Sequence, residues 1–292
     1  MTIARNHVQK AFLDLIVKTS TDLPEDVEQA LQGALAKADQ GSSEAGALAT
    51  MLANVELARS KQLPLCQDTG TILFEITSPP DVPRSELRAA AEAAVAEATG
   101  LGVLRQNCVN ALTGKNTGDN LGYGSPVFHW HDGDPGVIQA ALMLKGGGCE
   151  NVGIQYSLPD SSLGAGRDLD GVRTCVLDVV WRAQGQGCAP GILGVAIGGD
   201  RATGYEESKL QLFRRLGQRS PHPELARLEE RLVAEANQLG IGPMGFGGRT
   251  TVLDILIGWR CRLPASYFVS VSYMCWCCRR QSMILQYFGP RR

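Results

Sequence analysis

Residues 61–76 read KQLPLCQDTGTILFEI, and the hydrophobic period changes inside this stretch. Upstream, from His7 to about Ser60, Phe12, Leu15, Ile16, Leu31, Leu35, Leu48 and Leu52 recur at helical spacing, with Thr21 and Ser42 placed as caps, and the pattern predicts three helices. Downstream, Ile72, Phe74 and Ile76 alternate with Leu73 and Glu75, the two-residue period of a strand. Cys66 falls in the loop between the two regimes, before the strand rather than inside it. A helical block that gives way to strands predicts an α/β, mixed α+β chain: a helical N-terminal region followed by mixed sheets with flanking helices.

Working outward, Ser85 to Thr99 is rich in Ala, Glu and Arg and reads as a solvated helix. Val127 to Trp130 and Val137 to Leu144 read as a pair of strands between two glycine-rich loops, NTGDNLGYGSP and KGGGCENVG. Arg173 to Gln184 reads as a helix, broken by GQGCAPG before the buried-strand candidate Ile192 to Ile197. Glu206 to Leu216 and Pro223 to Leu239 carry helical periodicity with His222 between them. The loop GIGPMGFGGRTT precedes an apolar run from Val252 to Ile257, and SYFVSVSYM reads as a last strand running into Cys275. Long polar loops of this kind often carry function.

Composition narrows the function classes. A 292-residue chain that is 44% hydrophobic and 20% charged buries a full core, as one large domain or two small ones. A net charge of -2 gives no basic footprint, which argues against nucleic acid and anionic membranes and for a small-molecule substrate. No apolar run approaches the roughly 20 residues of a membrane helix. The start, MTIARNHVQKAF, lacks the uninterrupted apolar stretch of a signal peptide. Nine cysteines, an odd number, fit reduced thiols in the cytoplasm better than a secreted disulfide framework.

Three cysteines share one context. Cys66 in LCQDTG, Cys188 in GCAPG and Cys275 in YMCWCC each lie where an apolar segment meets a turn, which exposes a thiolate and leaves room for a bulky inorganic group. No two of these three stand at the short C-x-x-C spacing of a zinc ribbon, so spacing alone leaves open whether they are ligands or ordinary buried cysteines. Cys175 and Cys108 read as core; Cys149 sits in a loop and Cys277 and Cys278 stand beside Cys275, so these compete for the role. Asp68, two residues after Cys66, is a candidate proton-transfer carboxylate or a turn aspartate. Arg105, Lys145 and Arg249 border loops and could clamp carboxylates, and His222, between two prolines, could polarise a carboxylate or cap the helix that follows. The glycine loops match neither a P-loop nor a dinucleotide fingerprint.

The motifs LCQDTG, KNTGDNLGYGSP, KGGGCEN, GCAPGILGVAIGGDRAT, LGIGPMGFGGRTT and LPASYFVSVSYMCW occur in an order that resembles the alpha subunit, or N-terminal half, of class I iron–sulfur fumarate hydratases and L(+)-tartrate dehydratases. The resemblance covers about residues 8 to 280. It implies a [4Fe–4S] cluster with one open iron in a central cavity, held at Cys66, Cys188 and Cys275, with Asp68 exchanging a proton with the substrate hydroxyl. It further implies substrate contacts at Gln67, Arg105, Gly147, Gly148 and His222. The expected reaction is reversible hydration of fumarate to malate, with L(+)-tartrate dehydration as the alternative. The family's remaining catalytic groups lie in a beta subunit or C-terminal half, so the resemblance implies a beta partner and a hetero-oligomer of alpha–beta pairs acting on a small dicarboxylate.

Two departures from the family stand out: extra thiols at CWCCRR and at Cys149, where a serine is common, and the tail QSMILQYFGPRR. The expected organisation is a catalytic domain over residues 1–280 and an atypical, abruptly ending tail over 281–292. Two other readings compete: a non-catalytic orphan subunit that senses a cluster or dicarboxylate, and a zinc hydrolase using the same cysteines.

Overall fold

A computed structural model describes residues 5–286. These fall into two compact units. The first comprises the described residues up to Pro24, Asn54–Gly146 and those from Arg279 onward; the second comprises Glu25–Ala53 and Gly147–Cys278. The elements along the chain are α1 Arg5–Thr21, α2 Glu25–Lys37, α3 Ser43–Lys61, β1 Thr71–Ser78, α4 Arg84–Gly100, β2 Val127–Asp132, β3 Val137–Lys145, α5 Gly147–Asn151, β4 Ile154–Ser157, α6 Leu169–Ala183, β5 Gly191–Gly198, α7 Arg201–Gln211, α8 Pro223–Gln238, β6 Val252–Arg260, β7 Phe268–Met274 and β8 Arg279–Gln286. The mixed α+β class and the three N-terminal helices are as the sequence implies.

In the first unit the sheet order is β2-β1-β3-β8. β1 runs parallel to β2 and antiparallel to β3, with Phe74 opposite both Phe128 and Leu142. The two segments read as a strand pair are therefore strands that do not pair with each other: β1 lies between them. Its Ile72, Leu73, Phe74 and Ile76 are all buried, which suits the interior of a sheet rather than an edge. α1 and α4 pack against each other, and Phe12 meets Phe74 edge to face at 5.6 Å between ring centroids. The alanine-rich α4 is not a solvated helix. It buries Leu87, Ala90, Ala91, Ala94, Val95 and Ala98, because small side chains let two helices approach closely. β7 is not the last strand either, since β8 pairs antiparallel with β3. Residues 281–286 of the expected tail continue β8; residues 287–292 lie outside the described residues.

The second unit holds a sheet ordered β4-β7-β5-β6, with β5 parallel to β6 and antiparallel to β7. All eight residues of β5 are buried, as expected of a strand covered on both faces. Leu193, Val195 and Ile197 join the core built with α6 and α8, while Gly194 faces the backbone of α7. Helix α7 begins earlier than its apolar periodicity suggests, because Asp200 and Thr203 form a reciprocal capping box at its start. The amides of Thr203 and Ala202 that donate to the Asp200 carboxylate hold its pKa below the ordinary value. Asp168 caps α6 through Gly171 N–H, and Pro223 opens α8.

Candidate functional site

In the first unit the site is built on the turn between α3 and β1. Gly70 takes φ +73° there, and a side chain on it would run into the backbone of Lys145 and Gly146 at the end of β3, so the turn lies flat against that strand. Cys66 is half-buried, and its Sγ accepts the Asp68 N–H at 3.5 Å. Asp68 is half-buried as well. Its Oδ1 accepts from Asn107 Nδ2 at 2.8 Å, and its backbone carbonyl accepts from the buried Arg279 guanidinium at 2.6 Å. Gln67 is exposed beside it.

Arg105 belongs to the same assembly. Thr69 Oγ1 donates to the Arg105 carbonyl at 2.8 Å and accepts its N–H at 2.9 Å, which ties the backbone down while the side chain stays exposed. The first unit thus brings together Cys66, Gln67, Asp68 and Arg105, four of the residues expected from the sequence. Lys145, also considered as a clamp, is 1% exposed and terminates β3 within the fold.

The second unit brings together Cys188 and Cys275. Cys188 has φ 54° in a turn closed by its own N–H onto Gly185, and its carbonyl accepts the N–H of Trp276 at 3.2 Å. Cys188 and Cys275 are half-buried, whereas Cys277 and Cys278 are 2% and 0% exposed, which distinguishes Cys275 among the three clustered thiols. Behind them stands Tyr273: a methyl group at Gly187 or Gly191 would overlap its ring. Burial pushes the Tyr273 phenol well above its ordinary pKa, and the thiols of Cys149, Cys275 and Cys188 around it push the same way. Cys149 is buried in α5, with its Sγ toward the Gly187 carbonyl at 3.8 Å.

Gly147 and Gly148 open α5 and are exposed, and Gly148 lies near the carbonyl of Gln186. His222 is exposed, makes no side-chain cap to α8, and stands edge-on to Trp259 at 5.3 Å. Arg249 is engaged elsewhere: its guanidinium pairs with Asp39 at 3.0 Å and its backbone N–H with the buried Glu44. Within each unit, among the described residues, no three His, Cys, Asp or Glu side chains form a metal-holding group. The donor chemistry within each unit suits iron–sulfur: the first offers a half-buried thiol with an N–H···S bond of the kind that tunes cluster sulfurs, and the second a pair of half-buried thiols.

Sequence reading missed Asn107, Asn120 and Arg279. For the two asparagines the signal was the asparagine-rich run RQNCVNALTGKNTGDN, whose amides are suited to ordering a loop that has no regular structure of its own.

The family model described as fumarate hydratase (Fumerase) matches residues 9–284. The chain belongs to the fumarate hydratase family. It is 48% identical over 274 residues to a Geobacillus stearothermophilus protein provisionally named fumarate hydratase class I, covering 93% of this chain and 53% of that one. It therefore spans about half the length of that relative. It is 33% identical over 286 residues to the L(+)-tartrate dehydratase subunit alpha of Escherichia coli O157:H7, covering 97% and 92% of the two chains. A Methanocaldococcus jannaschii protein provisionally named as the same subunit is 32% identical over 278 residues, covering 94% and 95%. Hydratases and dehydratases of this kind are hydro-lyases. Among the described residues, no helix is long and apolar enough to cross a membrane.

Proposed function

We propose that this chain is the cluster-carrying alpha part of a [4Fe–4S]-dependent hydro-lyase that interconverts fumarate and malate. The observation that carries the reading is the turn over residues 65–68, where a half-buried thiol accepts a backbone N–H and a carboxylate two residues on is held by an amide. The 48% identity to a relative named as a class I fumarate hydratase supports that substrate pair.

Cys66, Cys188 and Cys275 would hold the cluster. When bound, the cluster supplies an iron without a protein ligand that acts as a Lewis acid. Asp68 takes a proton from the water whose oxygen adds to one alkene carbon, and returns it to the departing hydroxyl in the reverse direction. The proton on the other carbon is handled by a beta part. Arg105 presents a guanidinium fork to one substrate carboxylate, and Gln67 adds an amide. Gly147 and Gly148, lacking side chains, let the backbone come against the substrate. His222, exposed and with its side chain making no cap hydrogen bond, is the candidate imidazole donor to a carboxylate.

The beta part is a partner subunit, and the assembly is a hetero-oligomer of alpha–beta pairs. The alpha-subunit relatives that match over 92% and 95% of their own length support this division. The nine free thiols support a reducing, cytoplasmic setting. The same two relatives favour L(+)-tartrate dehydration as the second reading.

The test is anaerobic co-expression with a beta chain, reconstitution with iron and sulfide, and measurement of malate-dependent fumarate absorbance. Turnover of malate above that of tartrate is expected. Tartrate turnover alone would select the second reading, and no turnover of either would overturn both.

A further inference from the structure

We propose that Asn107 is the positioning residue for Asp68, fixing the plane of the carboxylate that exchanges the substrate's proton; this rests on the hydro-lyase reading above. The side-chain amide nitrogen of Asn107 only donates, and it donates to Asp68 Oδ1 at 2.8 Å. The other oxygen, Oδ2, lies against Gly146, where a Cβ would stand 3.0 Å from it. Rotation of the carboxylate about its bond to Cβ therefore breaks the hydrogen bond from the Asn107 amide. The backbone on the other side is held too, by the Arg279 guanidinium on the Asp68 carbonyl.

Asn107 is itself held in place. The buried Asn120, 1% exposed, accepts the N–H groups of Asn107 at 2.7 Å and Cys108 at 3.1 Å through one oxygen. Its amide nitrogen donates to Thr99 Oγ1 at 3.0 Å and to the Arg105 carbonyl at 2.9 Å. Asn120 adopts φ 63°, a conformation asparagine tolerates better than most residues. One buried amide thus orders residues 105–108, and from that segment Arg105 and Asn107 reach toward the same turn, joined to it by the Thr69 and Asp68 bonds. A proton-transfer group has to stay within hydrogen-bond reach of its target, and a misplacement of about 1 Å can cost about 100-fold in rate. An exposed amide at the end of a buried hydrogen-bond chain is suited to supplying that constraint.

The experiment uses the reconstituted alpha–beta enzyme carrying Asn107→Ala and, separately, the isosteric Asn107→Asp, which replaces the donor by a repelling carboxylate. Four quantities are read: kcat, KM, iron per chain and thermal midpoint. Both variants are expected to lose about 10–100-fold in kcat, with KM within about threefold of wild type and iron content and thermal midpoint unchanged. In the isolated alpha chain, the side-chain amide protons of Asn107 are expected to exchange faster with solvent when Asp68→Ala is introduced. Full kcat in both variants, or iron content falling in step with kcat, overturns the positioning role. An inactive wild-type enzyme would instead sink the hydro-lyase reading on which it rests.

Discussion

The backbone N–H of Trp276 donates to the carbonyl of Cys188 at 3.2 Å, so the turns that carry Cys188 and Cys275 are joined by a main-chain hydrogen bond. The bond depends on the amide and not on the indole. Trp276→Ala is expected to keep wild-type iron loading, and Trp276→Pro, which removes the donor, to lower it. Iron per chain after identical anaerobic reconstitution checks this; equal loading in the two variants would show that the link does not organise the thiols.

Tyr273 fills the space that side chains at Gly187 and Gly191 would occupy. Gly191→Ala should therefore destabilise the fold by about 1–3 kcal/mol through overpacking. Chemical denaturation is the measurement, and a midpoint equal to wild type would mean that the ring yields.

Cys175 lies in the core of the second unit, where burial pushes its thiol up to about 12, helped by the neighbouring carboxylates of Asp160 and Asp178. At pH 8 it is a neutral, inaccessible thiol. Alkylation of the native chain followed by peptide mass spectrometry should label the exposed Cys261 and leave Cys175 unmodified until the protein is unfolded.

Glu235 offers a test by pH. Burial works to raise its pKa, but hydrogen bonds from Arg173 and Arg231 outweigh burial, and the folded value is lowered. A depressed carboxylate stabilises the fold above its unfolded pKa, and that contribution disappears as pH falls through the folded value. The difference in thermal midpoint between wild type and Glu235→Gln should be largest near neutrality and shrink below pH 4.5, the ordinary value for this group. A gap that does not change with pH would place the effect in packing.

Much of this was legible in the sequence because it is local. The switch of period at residues 61–76 locates α3, the Cys66 turn and β1, and the motif order points to the family. What the sequence hid is long-range. That β1 separates β2 from β3 depends on pairings 54 and 68 positions apart, between Phe74 and Phe128 and between Phe74 and Leu142. The burial of α4 depends on α1, more than sixty residues earlier. Asn107 and Arg279 meet Asp68 from 39 and 211 positions away, and neither lies in a periodic pattern that would mark it.

Iron and acid-labile sulfide per chain, measured after anaerobic reconstitution of wild type and of single Cys→Ser variants, tests the cluster assignment most directly. The wild type should hold about four of each. Cys66→Ser, Cys188→Ser and Cys275→Ser should each fall well short, while Cys149→Ser, Cys277→Ser and Cys278→Ser stay near the full value. Stoichiometric zinc without iron in the wild type, or a full complement in Cys66→Ser or Cys188→Ser, would contradict it.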